Sequence, residues 1–87
     1  EAAFRWRHIY TNSSSWKERA KAASNLALYY EMNTQLADAF EWATKSYNLF
    51  NSKKGQDYKY TKMQQLYLEA LGGRIRSDQK LNKQFGQ

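Results

Sequence analysis

The sequence predicts an all-α fold of three to four antiparallel helices. Residues that favour strands are nearly missing, because the 87-residue chain has no valine and only two isoleucines. Proline is absent as well, and Ala, Leu, Gln, Glu and Lys fill the long segments. Apolar residues recur three and four positions apart, and nothing alternates with a period of two over more than a few residues. We expect one helical domain over residues 1–72, followed by a polar, basic tail over residues 73–87 that is frayed or partly helical.

The four predicted helices cover residues 1–10, 16–32, 35–50 and 57–71, each boundary being approximate. Ser15 followed by Glu18 has the S-x-x-E spacing of a capping box, which predicts the start of the second helix. This helix should end near Asn33, which can adopt the left-handed conformation of a helix terminus. Thr34 can then cap the third helix, and Asp57 the fourth. A connection of about two residues requires the second and third helices to be antiparallel.

Each predicted helix carries an apolar stripe that we expect to form the core. The stripe of the first helix comprises Ala2, Trp6, Ile9 and Tyr10. That of the second comprises Ala22, Ala23, Leu26, Ala27 and Tyr30. The third contributes Leu36, Ala39, Phe40, Ala43, Tyr47 and Phe50, and the fourth Tyr60, Met63, Leu66, Tyr67, Ala70 and Leu71. Gly72–Gly73 predicts that the fourth helix stops there, since Ile75, Leu81 and Phe85 are too sparse to continue the stripe.

The composition argues against an enzyme. Cysteine is absent, which excludes a thiolate metal site, a disulfide scaffold and a cysteine nucleophile. His8 is the only histidine, so neither a histidine-pair zinc site nor a Ser/His/Asp arrangement is available. Glu31, Asp38 and Glu41 are the only clustered acids, and pairing of Glu41 with a lysine four residues on explains them more simply than acid–base catalysis. We therefore expect no enzymatic activity, no metal and no cofactor.

The positive charge is concentrated in the second half of the chain. The net charge is +6, and residues 53–87 carry eight Lys or Arg against three acids, compared with six against five in residues 1–52. Such a surplus is typical of binding to nucleic acid or to an anionic membrane surface. No RNA-binding signature or recognition-helix pattern accompanies it, so nucleic acid is disfavoured. No run of about 18 apolar residues exists that would predict a membrane span.

The central hairpin resembles the tetratricopeptide repeat (TPR) over residues 20–50. A large-then-small pair at Leu26–Ala27 is followed by an aromatic at Tyr30 and by small residues in the next helix. Parts of the pattern recur at an offset of 37 residues, as in Tyr60, Met63 and Tyr67 compared with Ala23, Leu26 and Tyr30, whereas the usual TPR period is about 34. The usual glycine of the turn is replaced by Thr34, and the closing proline is missing. The resemblance implies helices stacked as TPR-like helical hairpins.

A second resemblance concerns the origin of the chain. The stretches 25–32 and 39–43 resemble the helical C-terminal regions of uncharacterised lipoproteins from Bacteroidetes. This resemblance implies a cell-envelope protein, periplasm-facing or at the surface. The chain begins with glutamate and with residues typical of a helix interior, so we interpret it as a fragment of a larger protein.

The resemblance to TPR arrays implies a concave groove lined by the first helix of each hairpin. Lys21, Asn25, Leu28 and Met32 share that face of the second helix, and Lys62 occupies the position in the fourth helix that corresponds to Asn25. A lysine and an asparagine four residues apart resemble half of the carboxylate clamp by which some TPR domains hold the C-terminus of a peptide. The alternative is a solvated helix face.

Three aromatic residues lie off the predicted stripes: Trp16, Tyr29 and Tyr58. Exposed aromatics would be anchors for a partner, because they combine large apolar area with a polar edge. Packing against a neighbouring repeat is the other interpretation.

The sequence thus favours a non-catalytic module for protein–protein interaction, a scaffold that binds a protein or peptide in the groove. The first alternative is a purely structural C-terminal capping domain of a larger envelope protein. The second is binding of nucleic acid or an anionic surface through the basic residues of 53–87.

Overall fold

Four helices make up the computed structural model, which describes residues 2–83. They are α1 (Ala2–Asn12), α2 (Trp16–Met32), α3 (Leu36–Lys54) and α4 (Lys59–Leu81). Within the described residues every regular element is helical, so the predicted all-α class is confirmed. The predicted tail residues 84–87, with Phe85, and the predicted first helical residue, Glu1, lie outside the described part of the chain.

Each helix packs against the next helix in the chain, and the four form two layers. Edge-on stacking of Tyr10 on Trp42 joins α1 to α3, with ring centroids 5.2 Å apart. A hydrogen bond from Gln64 Nε2 to Ser24 Oγ joins α4 to α2. The result is a slab of 46 × 33 × 14 Å, thin in one direction.

The core lies where α2 and α3 cross, and small residues form it. Ala27, Ala39 and Ala43 are completely buried and form one cluster with Leu71 of α4. Short side chains allow the two backbones to approach closely. Ser46, also completely buried, fits the same contact because its hydroxyl donates a hydrogen bond to the carbonyl of Ala20 at 3.0 Å.

The start of α2 follows the sequence prediction in part. Ser15 is its N-cap, and the Ser15 hydroxyl accepts a hydrogen bond from the backbone N–H of Glu18 at 3.3 Å. The returning half of a capping box is replaced, since the Glu18 carboxylate accepts a bond from the Ser13 hydroxyl, and Ser13 Oγ accepts the Ser15 N–H. Ser13 therefore acts as a bridge within the cap.

The turn between α2 and α3 corrects two predictions. The residue with positive φ is Thr34 (φ 59°), whereas Asn33 has φ −96°. The N–H of Gln35 bonds to the Tyr30 carbonyl and that of Thr34 to the Glu31 carbonyl, the two bonds of a Schellman motif. Thr34 consequently ends α2 and does not cap α3, whose N-cap residue is Gln35 without a side-chain bond.

The helix boundaries after Phe50 also differ from prediction. α3 continues to Lys54 and ends at Gly55, which has φ 87°. The residue before α4 is Tyr58, which makes no side-chain capping bond, so Asp57 is not its cap. A longer α3 is consistent with the two lysines in its last turn, because cations there interact favourably with the helix dipole.

The predicted stop at Gly72–Gly73 is wrong, because α4 runs through both glycines to Leu81. Neither glycine has positive φ, so both have joined the helix. Beyond them, the guanidinium of Arg74 makes an ion pair with Glu31 of α2, with Arg74 Nη1 2.7 Å from Glu31 Oε2. This contact joins the turn that follows the glycine pair to α2.

The packing face of α4 is rotated from the predicted stripe. Thr61 and Leu71 are the buried residues, whereas Met63 is 56% and Leu66 66% exposed. Tyr60 and Ala70 are exposed too. α4 contacts both α3 and α2, so its inner face comprises the positions that touch either helix. The apolar residues outside this face are exposed to solvent.

Candidate functional site

A groove lies between α2 and α4, with a volume of 480 Å³. Its residues come from α2, from the end of α3 and from the start of α4: Lys17, Lys21, Ser24, Asn25, Phe50, Tyr58, Tyr60, Met63 and Gln64. A side-chain contact, that of Gln64 with Ser24, joins α2 and α4 here, whereas their backbones do not approach closely. The space that this leaves between the two helices is the groove.

The bottom of the groove is polar. Gln64 Nε2 donates a hydrogen bond to Ser24 Oγ over 3.1 Å. Gln64 Oε1 is buried and has no hydrogen-bond partner among the described residues. A buried amide oxygen without a partner raises the free energy of the site, and a donor group entering the groove would relieve that cost.

One end of the groove is walled by aromatic rings that surround Phe50. The ring centroid of Phe50 lies 6.0 Å from that of Trp16, 5.9 Å from Tyr58 and 5.7 Å from Tyr60. Tyr58 and Tyr60 also stack edge to face, 5.5 Å apart. Such rings offer a preformed apolar surface on which another apolar side chain can pack.

Positive charge surrounds this aromatic wall. Lys17 and Lys21 line the groove, and no carboxylate is among its lining residues. Lys17 lies over the Trp16 ring, Lys54 over Tyr58 and Lys59 over Tyr60, at 5.9, 5.7 and 5.2 Å from the ring centroids. The groove is therefore suited to a ligand that combines negative charge with apolar groups.

Beyond the groove, Glu31 joins α2 to the middle of α4. Its Oε1 accepts a bond from the Tyr67 hydroxyl at 2.5 Å, and its Oε2 pairs with Arg74 at 2.7 Å. Burial raises the pKa of the Tyr67 hydroxyl, the hydrogen bond to Glu31 and its charge raise it further, and Arg74 lowers it. We call Glu31, Tyr67 and Arg74 the Glu31 latch.

The predicted groove residues are placed unequally. Lys21 and Asn25 line the groove, and Leu28 (48% exposed) and Met32 (85% exposed) are uncovered on the same side of α2. Lys62 is not among the residues that line it, so the structure does not bring this predicted residue into the groove. It precedes Gln64 by two positions, a rotation of about 200°, so it lies on the side of α4 that faces away from α2.

The three predicted aromatic anchors are half-buried against other rings. Trp16 and Tyr58 pack on Phe50, and Tyr29 stacks on Trp6 with centroids 6.3 Å apart. All three aromatic residues therefore pack against other rings of the same chain. Tyr58 alone among them also lines the groove.

The acidic cluster predicted as a weak catalytic candidate is divided among separate partners. Glu41 Oε2 lies 3.6 Å from Lys45 Nζ, the predicted pairing, while Glu31 belongs to the latch. His8 is exposed and contacts Asn12 of its own helix. Within residues 2–83 no group of three His, Cys, Asp or Glu side chains is placed to hold a metal ion.

Six residues of the groove were not predicted from the sequence: Lys17, Ser24, Phe50, Tyr60, Met63 and Gln64. The apolar three were assigned to the core because they follow the helical spacing. The signal that distinguishes them is the position of two polar residues: Gln64 is three residues before Tyr67 and four before Leu68, and Thr61 is seven before Leu68, so both mark the true inner face. Apolar periodicity cannot identify an inner face that contains polar residues such as Thr61 and Gln64.

No helix in the described part of the chain is both long and apolar enough to cross a membrane. Residues 1–73 match a family described as a domain of unknown function (DUF6340), so the chain belongs to this family. No curated protein and no solved structure matches the chain.

Proposed function

We propose that this protein is a non-catalytic module for protein–protein interaction, and that the groove between α2 and α4 binds an acidic peptide segment of a partner. The observation that carries the proposal is the composition of the groove. Aromatic and apolar side chains form its wall, two lysines border it, and none of its lining residues is acidic.

The resemblance to TPR hairpins supports this proposal. In such arrays the first helix of each hairpin lines the ligand groove, and α2 and α4 would be those helices in this chain. Lys21 and Asn25 would supply charge-assisted hydrogen bonds to a carboxylate, either of a side chain or of a C-terminus. With Lys62 on the far side of α4, Lys17 would be the second cation.

The resemblance to lipoproteins of Bacteroidetes suggests the setting of the interaction. We propose that the module is part of a larger envelope protein, where it would recruit a partner. The alternative of a purely structural cap is less well supported, because Leu28 and Met32 are exposed beside the groove. Neighbouring apolar residues that are exposed together are typical of an interaction surface.

Selection from a random peptide library tests the proposal. The library would be displayed on phage and selected on the purified chain, and enriched peptides would be labelled and measured by fluorescence anisotropy. We expect these peptides to be acidic, and we expect Lys21→Glu to weaken their binding about tenfold or more, because it places like charges together.

Lys62→Glu is the matched control, since it makes the same change of charge at an exposed position outside the groove. We expect its affinity to stay within about twofold of the wild type at 150 mM salt, where distant exposed charges are screened. Failure to enrich any peptide would favour the structural cap. Equal losses in both variants would favour general attraction by the basic residues of 53–87.

A further inference from the structure

The groove has a counterpart on the other side of α2. A second recess, with a volume of 310 Å³, lies between α1 and α2. Trp6 and Ile9 of α1 supply its apolar wall, and Ala22 is at its base. We call it the α1 recess.

Lys21 and Asn25 line both the groove and the α1 recess. The two depressions are therefore not separate sites, since one short stretch of α2 divides them and contributes to both. A ligand that contacts Lys21 and Asn25 from the groove has only this stretch to cross before it reaches Trp6 and Ile9.

We infer that the ligand is an extended peptide that crosses α2 and places one apolar side chain in each depression, with an acidic residue between them. This inference rests on the proposed function and adds the spacing that the partner must have. A helix with its side chains is about 10 Å across, and an extended chain advances about 3.3 Å per residue. The two apolar residues are accordingly three or four positions apart.

The charges of the two depressions place the acidic residue. Lys17 and Lys21 border the groove without any acid, whereas Glu18 lines the α1 recess. A carboxylate in the α1 recess would meet Glu18, while one above α2 meets Lys21 and can accept a hydrogen bond from the Asn25 amide. The acid therefore lies over α2, and the α1 recess receives an uncharged apolar side chain.

Variants of the α1 recess test the second anchor with the same enriched phage peptides. We expect Ile9→Ala to weaken their binding about fivefold to tenfold, because a buried apolar contact is lost. Trp6→Ala should weaken it at least as much, and Ile9→Ala remains informative if loss of the Trp6–Tyr29 contact destabilises that variant. Leu66→Ala is the matched apolar control, since Leu66 is 66% exposed and lines neither depression.

The peptides themselves supply a second readout. We expect the enriched sequences to share two apolar positions three or four residues apart with Asp or Glu between them, and alanine at either apolar position to weaken binding. If Lys21→Glu abolishes binding while Ile9→Ala and Trp6→Ala leave it unchanged, the two-anchor inference is wrong and the groove proposal stands. If no peptide is enriched, both are wrong.

Discussion

Glu31 makes two side-chain contacts with α4. One of its carboxylate oxygens accepts the Tyr67 hydroxyl and the other pairs with Arg74, so a single side chain of α2 holds two turns of α4. Bonds to an ionised group are stronger than neutral ones, and here one of them is partly shielded from water. The latch should therefore influence stability more than an ordinary surface ion pair.

The pKa of Tyr67 gives the latch a pH dependence at the alkaline end. In the unfolded chain a tyrosine loses its proton near pH 10, whereas in the folded protein burial and Glu31 hold the pKa of Tyr67 above that range. Above about pH 10 the unfolded state binds fewer protons than the folded state, so the free energy of unfolding must fall as the pH rises. Below pH 10 the contribution of this hydroxyl is fully present.

Tyr67→Phe tests this linkage. We expect the variant to be less stable at pH 8 by about 1 kcal/mol, the value of one hydrogen bond, and to lose stability less steeply between pH 9.5 and 11. Urea unfolding monitored by circular dichroism would measure both. The exposed Tyr60→Phe is the control. Equal slopes in wild type and Tyr67→Phe would refute the role of the hydroxyl.

At the scale of elements, the glycine pair inside α4 is a weak point that the structure tolerates. Each glycine in a helix interior costs roughly 0.5–1 kcal/mol relative to alanine. A Cβ at position 72 would lie 3.4 Å from Arg76 Nη1 and 3.7 Å from Phe40 Cε2. A Cβ at position 73 would be less crowded, with Arg76 Nη2 4.0 Å away. Neither position is closed to alanine, because the nearer atom belongs to a flexible side chain.

We accordingly expect Gly72→Ala and Gly73→Ala to stabilise the protein, by about 1 kcal/mol each at most. Gly55→Ala is the contrasting variant, because φ is 87° at that position and a Cβ there is strained. It should lower the melting temperature, which differential scanning calorimetry would report for all three. A drop in melting temperature for Gly73→Ala would show that α4 requires flexibility at this point.

The same glycines show why helix ends were harder to predict than helices. Apolar periodicity predicted four helices, and α2 starts and ends where expected, because a cap and a tight turn are local signals. Gly72–Gly73 is an equally strong local signal, but α4 continues past it, and Arg74 of the next turn contacts Glu31, 43 residues away in the chain. Contacts of that range leave no trace in the neighbouring sequence.

For the whole molecule, the sequence predicted two of the four groove residues on α2 and none of the three on α4. Lys21 and Asn25 were found because they share one face of α2, the face that the resemblance to TPR arrays assigns to a groove. On α4, Tyr60 and Met63 were assigned to the core because they follow the apolar helical spacing, but both are exposed. The sequence alone does not show that this helix contacts two neighbouring helices. Which apolar residues stay exposed depends on the angle between helices, and no single helix encodes that angle.

The order of packing predicts a gradient of local stability. Because each helix packs mainly on its neighbours in the chain, α2 and α3 each pack closely on two helices, whereas α1 and α4 each pack closely on one and contact a second through side chains. Hydrogen exchange followed by mass spectrometry should find the slowest amides in α2 and α3, and faster ones in α1 and in the last turns of α4. Uniform protection across the four helices would contradict this order.

The length of α4 gives the Glu31 latch a further consequence. The helix has 23 residues and is about 35 Å long, and its first turns border the groove while Tyr67 and Arg74 bind Glu31 near its middle. A tilt of about 5° around that middle point moves each end by about 1.5 Å. Because Glu31 binds α4 between its two ends, a rigid tilt of the helix about this point would change the width of the groove at Tyr60 and Met63.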